Sequence, residues 1–379
     1  MLLHRAVRRH ATTLAATKTP VKVFAPHWGS AHLSPDDFIA RVTSAGFDGI
    51  EMSLPLDAQE RDGWTRRIRD AGLDLIAQQW ETAMVPNFHE HKAALEVYLR
   101  NAAAASPLFI NTHTGKDFYS FEQNSQLLEL SEQIAQDTGV RIVHEIHRSR
   151  FSGHPMLVLP YLDSFPDLQL NADLSHWCVA CESLLDDQSE LLQNVIFPRV
   201  RHIHARVGHA EGPQVTDFRA PEHADAYAAH LSWWDTIVKA GNTTTITPEF
   251  GPAPYTTTLP YTNQIVSDPW HLNVAMLNVL HTMTKHDSSV QRFNVKKVKL
   301  HRKKRTEMKN QKKVFVNAKG DKKTVGKPPA SKKKVRRDTK RAKNNAKYEQ
   351  DRLVASGLVT KEDIEKLQAA SNEADDIAE

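Results

Sequence analysis

Four acidic and imidazole side chains close four successive apolar runs of this chain. Glu145 ends Val140-Arg-Ile-Val-His-Glu, and Asp173 ends Leu168-Gln-Leu-Asn-Ala-Asp. His204 ends Val200-Arg-His-Ile-His, and Glu249 ends Thr243-Thr-Thr-Ile-Thr-Pro-Glu. Hard and borderline divalent cations favour carboxylate oxygen and imidazole nitrogen, with positions left open for water or substrate. If the four runs are neighbouring parallel strands, their ends converge, and two glutamates, an aspartate and a histidine can hold one such ion. One acid at a strand end is ordinary; four on consecutive runs point to metal-assisted chemistry.

The elements that must position them follow from the hydrophobic pattern. Eight strand-like runs are bounded by turn residues: 21–28, 49–54, 73–80, 107–115, 140–147, 168–174, 200–207 and 243–251. Helical stretches lie between them. Ser34-Pro-Asp-Asp offers an N-cap serine with proline at the first helical position, leading into Phe38, Ile39 and Val42. The segment 121–138 places Leu127, Leu130, Ile134 and Ala135 on one stripe and stops at Gly139; 222–240 is similar and stops at Gly241. Asp268-Pro-Trp opens a last helix through Leu280. Alternating strands and helices imply a parallel sheet, and eight units in about 260 residues fit a closed (β/α)8 TIM barrel with reactive groups at the strand C-termini. Neither a G-x-G-x-x-G nor a Walker A sequence is present, which removes support for a dinucleotide or phosphate-loop protein.

Charge divides the chain. Residues 21–291 carry 18 Lys and Arg against 33 Asp and Glu, whereas 292–347 carry 24 against 3. An acidic body, 21–290, thus precedes a basic C-terminal tail, 291–379, whose sparse apolar residues predict disorder, with a short helix from Lys361. The tail is either a nucleic-acid or organelle-surface contact or a solubilising or targeting segment; Lys332–Arg337 after two prolines looks like a nuclear import signal. Residues 1–20 hold four arginines and lysines and no acid, which fits a mitochondrial presequence or a plain basic N-terminus. The expected compartment is intracellular: mitochondrial, cytoplasmic or nuclear. Cys178 and Cys181 form one C-x-x-C without a second pair, expected as reduced thiols. No apolar stretch approaches the ~20 residues of a membrane span. Homo-oligomerisation is left open.

The order of the motifs resembles the xylose isomerase-like (β/α)8 superfamily of sugar isomerases and epimerases, and more distantly endonuclease IV. The matching stretches are Ala45-Gly-Phe-Asp-Gly-Ile-Glu, His144-Glu145, Asp173-Leu-Ser-His176, His202-Ile-His204-Ala-Arg206 and Pro248-Glu249-Phe. The resemblance implies that Glu145, Asp173, His204 and Glu249 bind one divalent ion (Mn, Mg, Co or Zn). It implies that His176 and Arg206 contact oxygens of a small carbohydrate-like substrate. Glu145 and Glu249 are then the catalytic pair that exchanges a proton through an enediolate. Arg206 could instead pair with a rim acid. His147 either faces the mouth with Glu145, by strand alternation, as a substrate contact, or is a solvent-exposed loop histidine. His113 is read as pocket wall or second-metal ligand, and His202 as a satisfied core histidine. Trp28, Trp80 and Trp177 fall at strand ends, where they either wall a sugar or pack into the core. The alternatives are an endonuclease IV-like phosphodiesterase on abasic DNA and an inactive barrel with a nucleic-acid-binding tail. Against the first, Asp217-Phe-Arg219 puts arginine where that family needs histidine.

Overall fold

The computed structural model describes residues 21–284 and two later strands, 314–316 and 322–324. The N-terminal segment, the basic clusters and the helix expected from Lys361 lie outside the described residues.

Eight parallel strands close into a barrel in sequence order: β1 (Lys22–Pro26), β2 (Gly49–Met52), β3 (Asp74–Gln79), β4 (Ile110–Thr112), β5 (Ile142–Glu145), β6 (Leu170–Ala172), β7 (Val200–His204) and β8 (Thr245–Thr247), with β8 pairing back to β1. All eight runs read from the sequence become strands, six of them shorter at both ends and β2 and β7 shorter only at the C-terminal end. Helices α1 (Pro35–Ala45), α2 (Ala58–Asp70), α3 (Phe88–Ala104), α4 (Phe121–Thr138), α5 (Pro155–Ser164), α6 (Leu174–Ala180), one-turn α7 (Ser189–Leu191), α8 (Ala224–Ala240) and α9 (Pro269–Thr284) cover the outside. Capping sets their limits. Ser34 accepts from the Asp37 N–H at 3.2 Å, Ser120 and Gln123 form a reciprocal capping box, and Gly139 ends α4 at φ 71°. No helix among the described residues is long and apolar enough to cross a membrane.

Both faces of the strands are covered, so their residues are almost continuously buried. Inside the barrel, Phe24, Ile76, Phe109 and Val143 form an apolar floor of their own. A polar layer adjoins it, for the Phe109 ring meets His202 edge-on at 5.2 Å. Between β6 and β7 the register slips: Leu170 pairs with Val200 but Asn171 with His202, a bulge on the strand that presents His202 and His204.

Gly49 opens β2 because nothing larger fits; a Cβ there would stand 2.5 Å from the Asp74 carbonyl oxygen, against the Phe24 ring. Gly49→Ala is expected to cost about 1–3 kcal/mol, read from the chemical-denaturation midpoint. An unchanged midpoint would show that the floor yields freely.

In the C-terminal region, β9 (Val314–Val316) and β10 (Lys322–Thr324) pair antiparallel. This is regular structure in a stretch whose composition predicts none, and Val-Phe-Val is a strong local strand former.

Candidate metal centre

The strand ends bring Glu145, Asp173, His204 and Glu249 together. One ligand atom from each lies within 4.8 Å of all the others, a spread that a single cation can bridge. All four are buried. Each carboxylate has a fixed outer contact. Glu145 Oε2 accepts from Asn111 Nδ2 at 2.8 Å and meets His113 Nε2 at 3.0 Å. Glu249 Oε1 accepts from Gln78 Nε2 at 3.1 Å. Asp173 accepts from the backbone N–H and hydroxyl of Ser175 and from Arg206 Nη2.

His204 decides whether these residues suit an ion. Its Nε2 faces Glu51 Oε1 at 3.0 Å, which fixes that nitrogen as the protonated one. Its Nδ1 is buried and makes no aligned hydrogen bond, although Glu249 Oε2 stands 2.9 Å and Glu145 Oε2 3.5 Å away. In the metal-free fold a proton lies between this nitrogen and the carboxylates; once an ion displaces it, a nitrogen facing carboxylate oxygens and braced from behind by a carboxylate is how a metal-ligating histidine is held. The residues fit a divalent cation.

Glu51, to which the sequence pattern assigns no role, sits behind His204 and braces the centre. It accepts from His202 and His204 and also from Asn111 Nδ2 at 3.0 Å and Thr247 Oγ1 at 2.5 Å. Burial raises its pKa, but His204 and His202 outweigh burial and hold it well below the carboxylate range. Its sequence signal was an acid inside a short strand buried on both faces. Asn111, Gln78 and Tyr255 were likewise unassigned. His202 is buried with both nitrogens in hydrogen-bond reach, at Thr245 and Glu51.

The remaining expected residues sort themselves by contact. Arg206 reaches Asp173, the His176 Nε2 at 2.8 Å and Glu249 Oε2 at 3.4 Å, and lies over the Tyr255 and Trp28 rings at 4.8 and 5.8 Å. His147 lies between His176 (centroids 3.7 Å apart) and His113 (4.6 Å), tilted to both, its Nδ1 donating to the Arg148 carbonyl at 2.6 Å. His113 and His147 also form a second cluster with Glu145. Burial keeps His147 and His176 well below the imidazole range, hence neutral. Trp28 sits half-exposed against Tyr255, whereas Trp80 lines a separate cleft with His27, Trp64 and Tyr98. Trp177, expected to wall the sugar, is instead enclosed in the hydrophobic core, its indole N–H donated to the Ser152 carbonyl at 2.8 Å. Arg219 closes on Asp217 at 2.7 and 2.9 Å. Cys178 is buried, and burial pushes its thiol far up, so it stays protonated.

The sequence matches no family model and no curated protein. Solved structures do match. A xylose isomerase domain containing protein from Salmonella typhimurium has 13% identity and a TM-score of 0.49, over 70% of this chain and 97% of that one. A xylose isomerase-like TIM barrel protein from Mycobacterium smegmatis in complex with magnesium gives 15% and 0.48, over 70% and 98%. Endonuclease IV from Thermus thermophilus gives 14% and 0.47, over 71% and 100%. The chain is similar to xylose isomerase-like TIM barrels and to endonuclease IV. At these identities the likeness is one of fold.

Protons and the cation compete for this centre. Burial lifts Asp173 to about 6 despite Arg206. Burial lowers His204, but Glu249, Glu51 and Glu145 outweigh it and hold the imidazole well above its ordinary range. Both folded-state values lie above the ordinary ones, so the metal-free fold gains stability from these protons at low pH and loses it as pH rises through them. An ion that replaces them therefore binds better as pH rises. The melting-temperature increase caused by a divalent cation is expected to be larger at about pH 8 than at about pH 5.5. A shift independent of pH would mean that neither group exchanges its proton for the ion.

Proposed function

We propose that this chain is a divalent-cation-dependent isomerase or epimerase of a small sugar, sugar acid or polyol. The observation that supports this most is the convergence of Glu145, Asp173 and Glu249 on the buried Nδ1 side of His204, within the span of one cation. A divalent cation held by these four would polarise a substrate carbonyl and ease the charge of an enediolate.

The chain's own residues supply the rest. Moving a proton between carbons beside a carbonyl needs one carboxylate to take it and another to return it. Burial raises Glu145, but His113 and His204 outweigh it and hold the group ionised at neutral pH, ready to accept a proton. Glu249 faces the same centre, with Oε1 anchored by Gln78. His113 Nδ1 and His176 Nδ1 are buried without partners, which suits them to bind substrate hydroxyls. Arg206 offers a fixed fork whose charge Asp173 and Glu249 balance. Trp28 and Tyr255 present aromatic faces beside it.

The test is to purify the full chain, measure bound metal, and screen ketoses and keto-polyols for deuterium uptake at carbon from heavy water. Exchange that depends on metal supports the proposal. Cleavage of abasic DNA with several bound zinc ions and no exchange would replace it with the phosphodiesterase.

A further inference from the structure

Beside the metal cluster, at the same end of the barrel, two cations are shut away from solvent with no acid against them. Lys116 follows β4 and Arg150 follows β5; they are 5% and 6% exposed. Lys116 Nζ donates to the Ala83 carbonyl, Arg150 Nη1 donates to the Ser149 carbonyl at 2.8 Å, and Arg150 Nε has no partner. Among the described residues neither has a carboxylate oxygen within 4 Å; Asp117 attracts both, but from beyond salt-bridge contact. The Phe151 N–H to Thr114 carbonyl contact, 3.5 Å, ties their two loops together. His91, buried in the first turn of α3, feels both cations; its Nδ1 meets the Val85 carbonyl at 3.2 Å and its Nε2 is unpartnered.

Burying an ion without a counter-ion costs several kcal/mol, and a like charge alongside adds to it. The strain registers on each group. Burial and then Arg150 push Lys116 down, burial lowers Arg150, and burial, with both cations contributing, takes His91 to about 4. Arg206 shows the contrast, since Asp173 and Glu249 hold it from two sides. Arg150 is also within electrostatic reach of the metal cluster: Glu145, Tyr255 and Asp117 attract it, and it lowers His147. Arg148, 5.0 Å over the Tyr255 ring, adds a third cation.

We propose that Lys116 and Arg150 form a subsite for an oxyanion, a carboxylate or a phosphate carried on the substrate's polyol body. The assignment rests on the metal cluster being the reacting centre. Sugar hydroxyls both donate and accept, whereas an ammonium and a guanidinium offer donors and positive charge alone, which an oxyanion answers. The same cations oppose a second divalent ion at His113, Glu145 and His147.

The test measures binding of sorbitol, gluconate and sorbitol 6-phosphate to the full-length protein by calorimetry, with metal bound and after chelation. One of the two anions is expected to bind at least about tenfold tighter than sorbitol, and which one identifies the group as carboxylate or phosphate. Arg150→Gln and Lys116→Met are each expected to reduce that preference with metal content unchanged, and Arg150→Lys to restore part of it. If Arg150→Gln does not fold, Lys116→Met carries the test. The tail charge is common to all variants and cancels. Equal affinities, no binding of either anion, or a preference that survives in both variants overturns the subsite. Deuterium exchange is read separately, so an anion preference without exchange sinks the isomerase and spares the subsite.

Discussion

Replacing Glu249 by glutamine is expected to leave the barrel folded and to reduce deuterium uptake by about 10²–10⁴-fold, the range general-base catalysis contributes. The substitution keeps an oxygen for Gln78 and removes the charge that can take a proton. It also sets an amide near Arg206 Nη1, which stands 3.4 Å from Glu249 Oε2, and near His204 Nδ1 at 2.9 Å. Some loss of metal affinity therefore accompanies it, so bound metal must be measured in the same preparation. Glu145→Gln is expected to match it if the two carboxylates hand one proton back and forth. Exchange retained at full metal occupancy in Glu249→Gln would remove Glu249 from the catalytic pair.

Glu51→Gln is expected to weaken metal binding by about 10–100-fold without touching a ligand. One carboxylate here meets four donors, from His202, His204, Asn111 and Thr247. An amide turns one acceptor into a donor, so at least one histidine loses its anchor and His204 is free to rotate. Breaking such a buried pair also costs about 3–5 kcal/mol of stability. The two effects separate: chelator competition reads affinity, and denaturation reads stability. A destabilised Glu51→Gln protein with native metal affinity would mean that Glu51 serves the core and not the centre.

Much of this architecture was legible in the sequence, for a definite reason. Strand ends in a parallel barrel all face one way, so Glu145, Asp173, His204 and Glu249 could be grouped from their positions at the ends of apolar runs. Glu51 could not. Its partner His204 is 153 residues away, and which interior side chains meet across a barrel depends on closure and stagger, not on local pattern. The bulge before His202 shifts that stagger again. Trp177 failed differently. It lies on α6 directly after His176, and successive helical residues point about 100° apart, so one faces Arg206 and the other the core.

The floor of Phe24, Ile76, Phe109 and Val143, each without solvent exposure, makes this barrel a blind well. Whatever reacts at its upper rim departs by the way it arrived. If the proposed reaction occurs there, product and incoming substrate exclude each other at a common doorway, and product inhibition is expected to be competitive.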